Sequence, residues 1–211
     1  MKNKTKQRLY FASLFCIALT VSAQELLPLN RISGRIQHEK DPGQGAGSMK
    51  FIDNALPQGE VRVGTTRQEG VSLGFLMAFS TTPEFRQRIA AGDAIELELE
   101  VKSTSRSGAP DDLKVVLLDM GSGEDASAFV HFGAWNNARD LKEVGTVHAD
   151  PDAGMKTIDV TEALGDARRQ PSTDEPVIWF AVYLPLEAFE GPEGRHVIFS
   201  GEPKLRVRQG R

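Results

Sequence analysis

The residues best suited to chemistry in this chain lie in Phe132-Gly133-Ala134-Trp135-Asn136-Asn137-Ala138-Arg139, where an indole, two side-chain amides and a guanidinium share one short loop. An indole face can stack on the C–H groups of a pyranose, amides can hydrogen-bond its hydroxyls, and an arginine fork can grip a uronate carboxylate at two points. Trp135, Asn136, Asn137 and Arg139 are therefore candidate carbohydrate-binding residues. The competing reading is an indole folded back over the end of a core, with the amides holding the turn. Arg62 joins the candidates: on the stretch Glu60-Val61-Arg62-Val63-Gly64 it could meet an acidic glycan, although a solvated strand face explains it equally well.

Catalysis has thinner material. A polysaccharide lyase needs a base and an acid beside one sugar, and Tyr183 with His131, His148 or His196 supplies the residue types. These histidines are scattered singly, the pattern of surface or structural imidazoles, so the weak lyase candidates reduce to Tyr183, His131 and His196. Glycoside hydrolysis needs two carboxylates at a set separation; Asp111-Asp112 and Glu124-Asp125 sit in Gly/Ser-rich stretches and read as solvated loop acids. No G-x-S-x-G string occurs, and the glycine-rich Gly43 to Gly47 neither follows a strand pattern nor opens a helix, which leaves phosphate binding unsupported. No two histidines stand at i, i+2 or i, i+4, so a histidine metal site is not expected, nor is a cofactor. A structural Ca²⁺ could take oxygens from Asp111-Asp112 or from Asp150-Pro151-Asp152, whose spacing equally suits ordinary turn aspartates.

The chain around these residues is 40% hydrophobic and 26% charged over 211 residues, which excludes collagen, a coiled coil and a disordered tail. Residues 1–23 read as a secretory signal peptide: Lys2, Lys4, Lys6 and Arg8, then an apolar run from Leu9 to Val21, then Val21-Ser22-Ala23 as the cleavage site. The single cysteine, Cys16, falls inside that leader, so the mature chain would have no disulfide, thiol nucleophile or Cys-liganded metal. Secretion or export to the periplasm follows. No later segment is long and apolar enough for a membrane-spanning helix. The leader carries four of the 25 Lys and Arg and none of the 29 acids, so its removal takes the formal charge from −4 to about −8. Nothing in that balance suggests nucleic acid as a partner.

After an irregular or flexible segment over 24–48, residues 49–211 read as one domain of short strands separated by turn residues. Val71 to Phe79 alternates bulky and small residues, and Ile95, Leu97, Leu99 and Val101 alternate with Glu96, Glu98, Glu100 and Lys102, which predicts one buried and one wet face. Further strands are predicted over Lys114–Asp119, Ala128–Phe132, Thr146–Ala149, Thr157–Val160, Val177–Leu184, His196–Ser200 and Lys204–Arg208. On Val177–Leu184, Trp179 and Tyr183 share one face and Ile178, Phe180, Val182 and Leu184 the other; the run is apolar throughout, so both faces are expected to be covered. Two short helical turns interrupt the series, one opened by Thr82-Pro83-Glu84 and stopped by Gly92, the other at Thr161-Glu162-Ala163-Leu164. This is the pattern of an all-β, antiparallel sandwich.

Six segments then fall in a familiar order: Glu60 to Gly64; Gly74 to Ser80; Ala94 to Val101; Ala134-Trp135-Asn136-Asn137-Ala138; Ile158-Asp159-Val160-Thr161-Glu162-Ala163-Leu164; and Phe199-Ser200-Gly201-Glu202-Pro203-Lys204-Leu205-Arg206-Val207. Together they make residues 50–208 resemble the DNRLRE-type domain of secreted bacterial proteins, classed among carbohydrate-binding modules as family 96. The resemblance implies a jelly-roll β-sandwich and sugar binding. The expectation is a non-catalytic carbohydrate-binding module for a polysaccharide, with uronate as the preferred sugar. The alternatives are a jelly-roll lyase and an extracellular sandwich that engages a protein partner through its edge strands.

Overall fold

The computed structural model describes residues 25–26, 30–40, 47–54, 59–66, 71–105, 112–122, 142–148, 153–167, 176–184 and 194–208. Twelve strands make up its sheet: β1 (Glu25–Leu26), β2 (Asn30–Lys40), β3 (Gly47–Asn54), β4 (Glu60–Thr65), β5 (Val71–Ser80), β6 (Ile95–Thr104), β7 (Asp112–Ser122), β8 (Lys142–His148), β9 (Gly154–Asp159), β10 (Pro176–Tyr183), β11 (His196–Ser200) and β12 (Lys204–Val207). Two helices, α1 (Pro83–Ala91) and α2 (Thr161–Ala167), complete the described elements. The protein is all-β, and every strand pairing is antiparallel.

The order of the strands explains how the sheet closes over its core. On one side of β6 lies β9; on the other, β12 and β11 run end to end, Lys204–Val207 facing Ile95–Glu98 and Val197–Phe199 facing Val101–Thr104. Their outer neighbours differ, β1 beside β12 and β4 beside β11. β5 carries β2 along one side, and on the other holds β4 at Ser72 and Leu73 and β10 from Phe75 to Ser80. From β10 the sheet continues through β7 to β8. The inward-pointing residues alternate as a period of two requires: Val61 and Val63, Phe75, Met77 and Phe79, Ile95 to Val101, Leu113 to Leu117, Ile178 to Val182, and Val197 and Phe199 share one buried cluster. The Phe79 and Phe180 rings meet edge to face there, 6.2 Å apart. Curling brings β8 up to β9, where Gly145 passes so close to Ile158 that a Cβ would stand 2.6 Å from its Cγ2.

The short helices are where capping residues put them. Thr82 accepts the Phe85 N–H at 3.1 Å, Pro83 begins α1, Phe85 and Ile89 are buried, and the helix stops at Gly92. At the end of β9, Asp159 accepts the Thr161 N–H at 2.9 Å, and the Thr161 hydroxyl accepts the Ile95 N–H at 2.8 Å. Val160 also donates to the Ile95 carbonyl at 2.9 Å. Asp159-Val160-Thr161 thus ties the end of β9 and the start of α2 to the first residue of β6.

Two parts of the structure differ from the sequence reading. Of the segment 24–48, which the sequence suggested was irregular or flexible, the described residues 25–26, 30–40 and 47–48 lie in β1, β2 and the start of β3. The sequence of β2, Asn-Arg-Ile-Ser-Gly-Arg-Ile-Gln-His-Glu-Lys, has only two apolar residues, too few to signal a strand; eight of its residues pair along β5, from Asn30 opposite Ala78 to Gln37 opposite Val71. The outer face of β6 is not uniformly wet either: Glu98 is buried, because Arg206 of β12 lies across it at 3.0 Å. The predicted strand over Ala128–Phe132 lies outside the described residues.

Candidate functional site

Arg62 and His196 are the two predicted site residues that the described structure brings together. Val61 and Val63 point into the core, so Arg62 and Gly64 take the outer face of β4; Val197 and Phe199 do the same for β11 and send His196 and Ile198 outward. The register places Arg62 opposite Ile198 and Gly64 opposite His196, which makes Arg62 and His196 diagonal neighbours. Such positions lie about 7 Å apart at the backbone, within reach of a long side chain. Across β11, Ser103 of β6 lies opposite Ile198. The Ser105 N–H donates to the His196 carbonyl at 2.8 Å, and the His196 N–H donates to the Ser105 hydroxyl at 3.3 Å. The outer face here presents Arg62, the half-buried Ile198 and Ser103 in one row, with His196 and Ser105 in the next.

Gly64 permits this arrangement. Its φ is +136°, and a Cβ there would stand 2.4 Å from the Arg195 carbonyl oxygen and 2.8 Å from the His196 Cα. Only a residue without a side chain lets the start of β11 come so close. The next residue, Thr65, locks the approach: its backbone N–H donates to the Arg195 carbonyl at 2.8 Å, and its hydroxyl accepts the Arg195 N–H at 2.9 Å.

The electrostatics of the pair follow from that packing. Burial first, and the Arg62 charge second, hold the His196 imidazole below the usual histidine range, while a hydrogen bond to the Gly194 backbone works the other way. His196 is thus a neutral donor and acceptor at pH 7. Arg62 is exposed, and no carboxylate among the described residues holds it. By contrast Arg88 is held by Asp93, Arg206 by Glu98 and Arg208 by Glu96.

The remaining candidates are placed differently. Tyr183 is 7% exposed and points away from the core at the end of β10, opposite Lys114 of β7, and it is not among the partners of His196. Trp179 is fully buried on the same face of β10, as its apolar run suggested. His148 of β8 holds Asp112 of β7 through Nδ1 at 2.7 Å, on an exposed cross-strand pair. Beside it Lys114 donates to Glu143 at 2.7 Å, and Thr146 donates to the same Glu143 oxygen at 3.2 Å. Asp112, one of the Ca²⁺ candidates, is thus engaged by an imidazole; Asp111, Asp150 and Asp152 lie outside the described residues, as do His131, Trp135, Asn136, Asn137 and Arg139. Among the described residues no three His, Cys, Asp or Glu side chains converge as a metal site, and no helix is long and apolar enough to cross a membrane.

Sequence reasoning missed Ser103, Ser105 and Ile198 as neighbours of Arg62, and missed the His148–Asp112 pair. Alternation alone assigns each to an outer face; the strand pairing that sets them side by side, β4 with β11 across 130 residues, leaves no local signal. No model of a known protein family matches the chain, and no curated protein matches it.

Proposed function

We propose that the chain is a non-catalytic carbohydrate-binding module of an exported protein, that its curled sheet is a jelly-roll β-sandwich, and that its ligand is a polysaccharide bearing uronate residues. The observation that carries this reading is an exposed guanidinium, Arg62, which no carboxylate among the described residues holds, beside a neutral imidazole on a paired sheet face. A guanidinium fork matches a sugar carboxylate, and an imidazole with flanking serine hydroxyls matches ring hydroxyls. The half-buried Ile198 between them offers an apolar patch for a pyranose C–H face. A lyase needs its acid and base at adjacent atoms of one sugar, and the buried position of Tyr183 favours binding over elimination. Trp135 and its loop would add a stacking platform, and the leader over residues 1–23 would deliver the protein outside the cytoplasm.

Affinity electrophoresis through alginate, pectate and neutral glycans tests the proposal. Retardation by the uronate polymers is expected, with loss of most of it in Arg62→Ala and a further loss in Trp135→Ala. Absence of retardation on every glycan overturns the reading, and growth of absorbance from unsaturated uronate ends would replace it with the lyase.

A further inference from the structure

We propose that Arg62 and His196 form a carboxylate subsite that takes up a proton as it binds, so that affinity for a uronate-bearing glycan rises as the pH falls. This rests on the carbohydrate-binding reading and names the sugar group and the regulation of that same site.

The geometry supplies both halves of the subsite. Arg62 and His196 are diagonal neighbours on the outer faces of β4 and β11, close enough for the two oxygens of one carboxylate to take a donor from each. The charges facing His196 are few. From β4 comes Arg62, with Glu60 a row further on, opposite Ser200. From β6 come the hydroxyl residues Ser103 and Ser105, with Lys102 donating to Glu100 at 2.7 Å beyond them. On its own segment stands Arg195, whose backbone is bound to Thr65. Among the described residues, the charge that acts on the imidazole is the positive one of Arg62.

In the empty site a proton on His196 would put a second cation beside Arg62 in a half-buried place, and the imidazole stays neutral. A carboxylate seated on Arg62 offsets that charge and offers His196 an acceptor, so the protonated form becomes the favoured one. The linkage is reciprocal: whatever the carboxylate does for the proton, the proton does for the carboxylate. A sugar carboxylate has an ordinary pKa of about 3.5 and stays ionised from pH 5 to 8, so the titrating group belongs to the protein. One proton taken up limits the slope to about tenfold in affinity per pH unit.

Isothermal titration calorimetry of the whole protein with a galacturonate oligomer and with its fully methyl-esterified form, in two buffers of different ionisation heat at pH 6, reads the proton directly. Uptake of a substantial fraction of one proton is expected with the acid and none with the ester, together with a severalfold rise in affinity for the acid from pH 7 to pH 5.5. His196→Gln should remove the uptake and flatten the profile, while His148→Gln keeps both. The NMR titration of His196 in the unsubstituted protein is independent of any variant, and its midpoint should rise when the acid oligomer binds. Binding of the acid with no proton uptake and no shift of that midpoint overturns this inference and leaves the binding module standing. Absence of binding to either oligomer at any pH overturns both.

Discussion

Replacing Gly64 with alanine should cost more than the same change at Gly59 or Gly145. Two terms add. The backbone at φ +136° lies where L side chains are strained, which costs on the order of 1–3 kcal/mol. The new Cβ also meets the Arg195 carbonyl oxygen at 2.4 Å and the His196 Cα at 2.8 Å, backbone atoms that cannot swing aside, and such overpacking adds about 1–3 kcal/mol. A combined loss of about 2–6 kcal/mol in a domain of this size lowers Tm by roughly 4–24 °C. Two controls divide the terms. Gly59→Ala shares a positive φ, +84°, but its Cβ meets nothing within 4 Å, so it bears the conformational cost alone. Gly145→Ala has a close contact without the strained φ, and that contact is the Ile158 Cγ2, the end of a side chain that can shift. Thermal unfolding followed by circular dichroism should therefore rank Gly64→Ala well below Gly59→Ala and Gly145→Ala. A Gly64→Ala protein as stable as Gly59→Ala would show that β11 does not sit against β4 as described, and the Arg62–His196 pairing would go with it.

Stability should also carry a signature in pH. His196 binds its proton less readily in the folded chain than in the unfolded one, so stability is full above the ordinary histidine value of about 6.5 and falls as the pH drops through it toward the lowered native value; His196→Gln should remove that limb of a denaturation-versus-pH curve. Asp159 is held below the usual aspartate range by its side-chain and backbone hydrogen bonds with Thr161, so its contribution is present above about pH 4 and is lost as the pH falls further; Asp159→Asn should flatten the acid limb alone. Thr161→Ala removes the hydroxyl that accepts the Ile95 N–H and should lower stability by about 1–2 kcal/mol in urea titrations. Glu98→Gln strips the carboxylate from Arg206 in a place where Glu98 is nearly covered but Arg206 is a third exposed, so a loss of about 1–2 kcal/mol is expected rather than the value for a fully buried pair.

What could be read in the sequence was what depends on near neighbours. The alternation of Ile95 to Val101 predicted a half-buried strand, and Thr82, Pro83 and Gly92 predicted α1 with its start and stop, because caps and faces are set within four residues. β2 escaped, since its place is fixed by its partners β3 and β5 rather than by an apolar face of its own. Glu98 escaped for a similar reason: its burial depends on Arg206, more than a hundred residues away. The candidate site divides along the same line. Arg62 and His196 were visible as residue types, whereas their adjacency is a product of register.

The charge distribution sets a further condition on the proposed binding. The chain has 29 acids against 25 Lys and Arg, so a polyuronate approaching from afar meets repulsion. Near the surface the balance changes. On the outer face of β6, Glu98 is answered by Arg206 of β12, Glu96 by Arg208 just beyond it and Glu100 by Lys102, while no carboxylate among the described residues holds Arg62 on the adjoining β4–β11 face. At 0.15 M salt the screening length is about 8 Å, so the bulk charge is largely hidden while a carboxylate in direct contact with Arg62 is not. Association and retention should therefore respond to salt in opposite ways. From 0.02 to 0.15 M, stopped-flow association with oligogalacturonate should accelerate, as repulsion is screened, and dissociation should accelerate too, as the Arg62 contact weakens. A basic surface that steers its ligand would give slower association with added salt. Association that slows as salt is added would mean that a cationic region other than Arg62 captures the glycan, and Arg62→Ala would then leave the association rate unchanged.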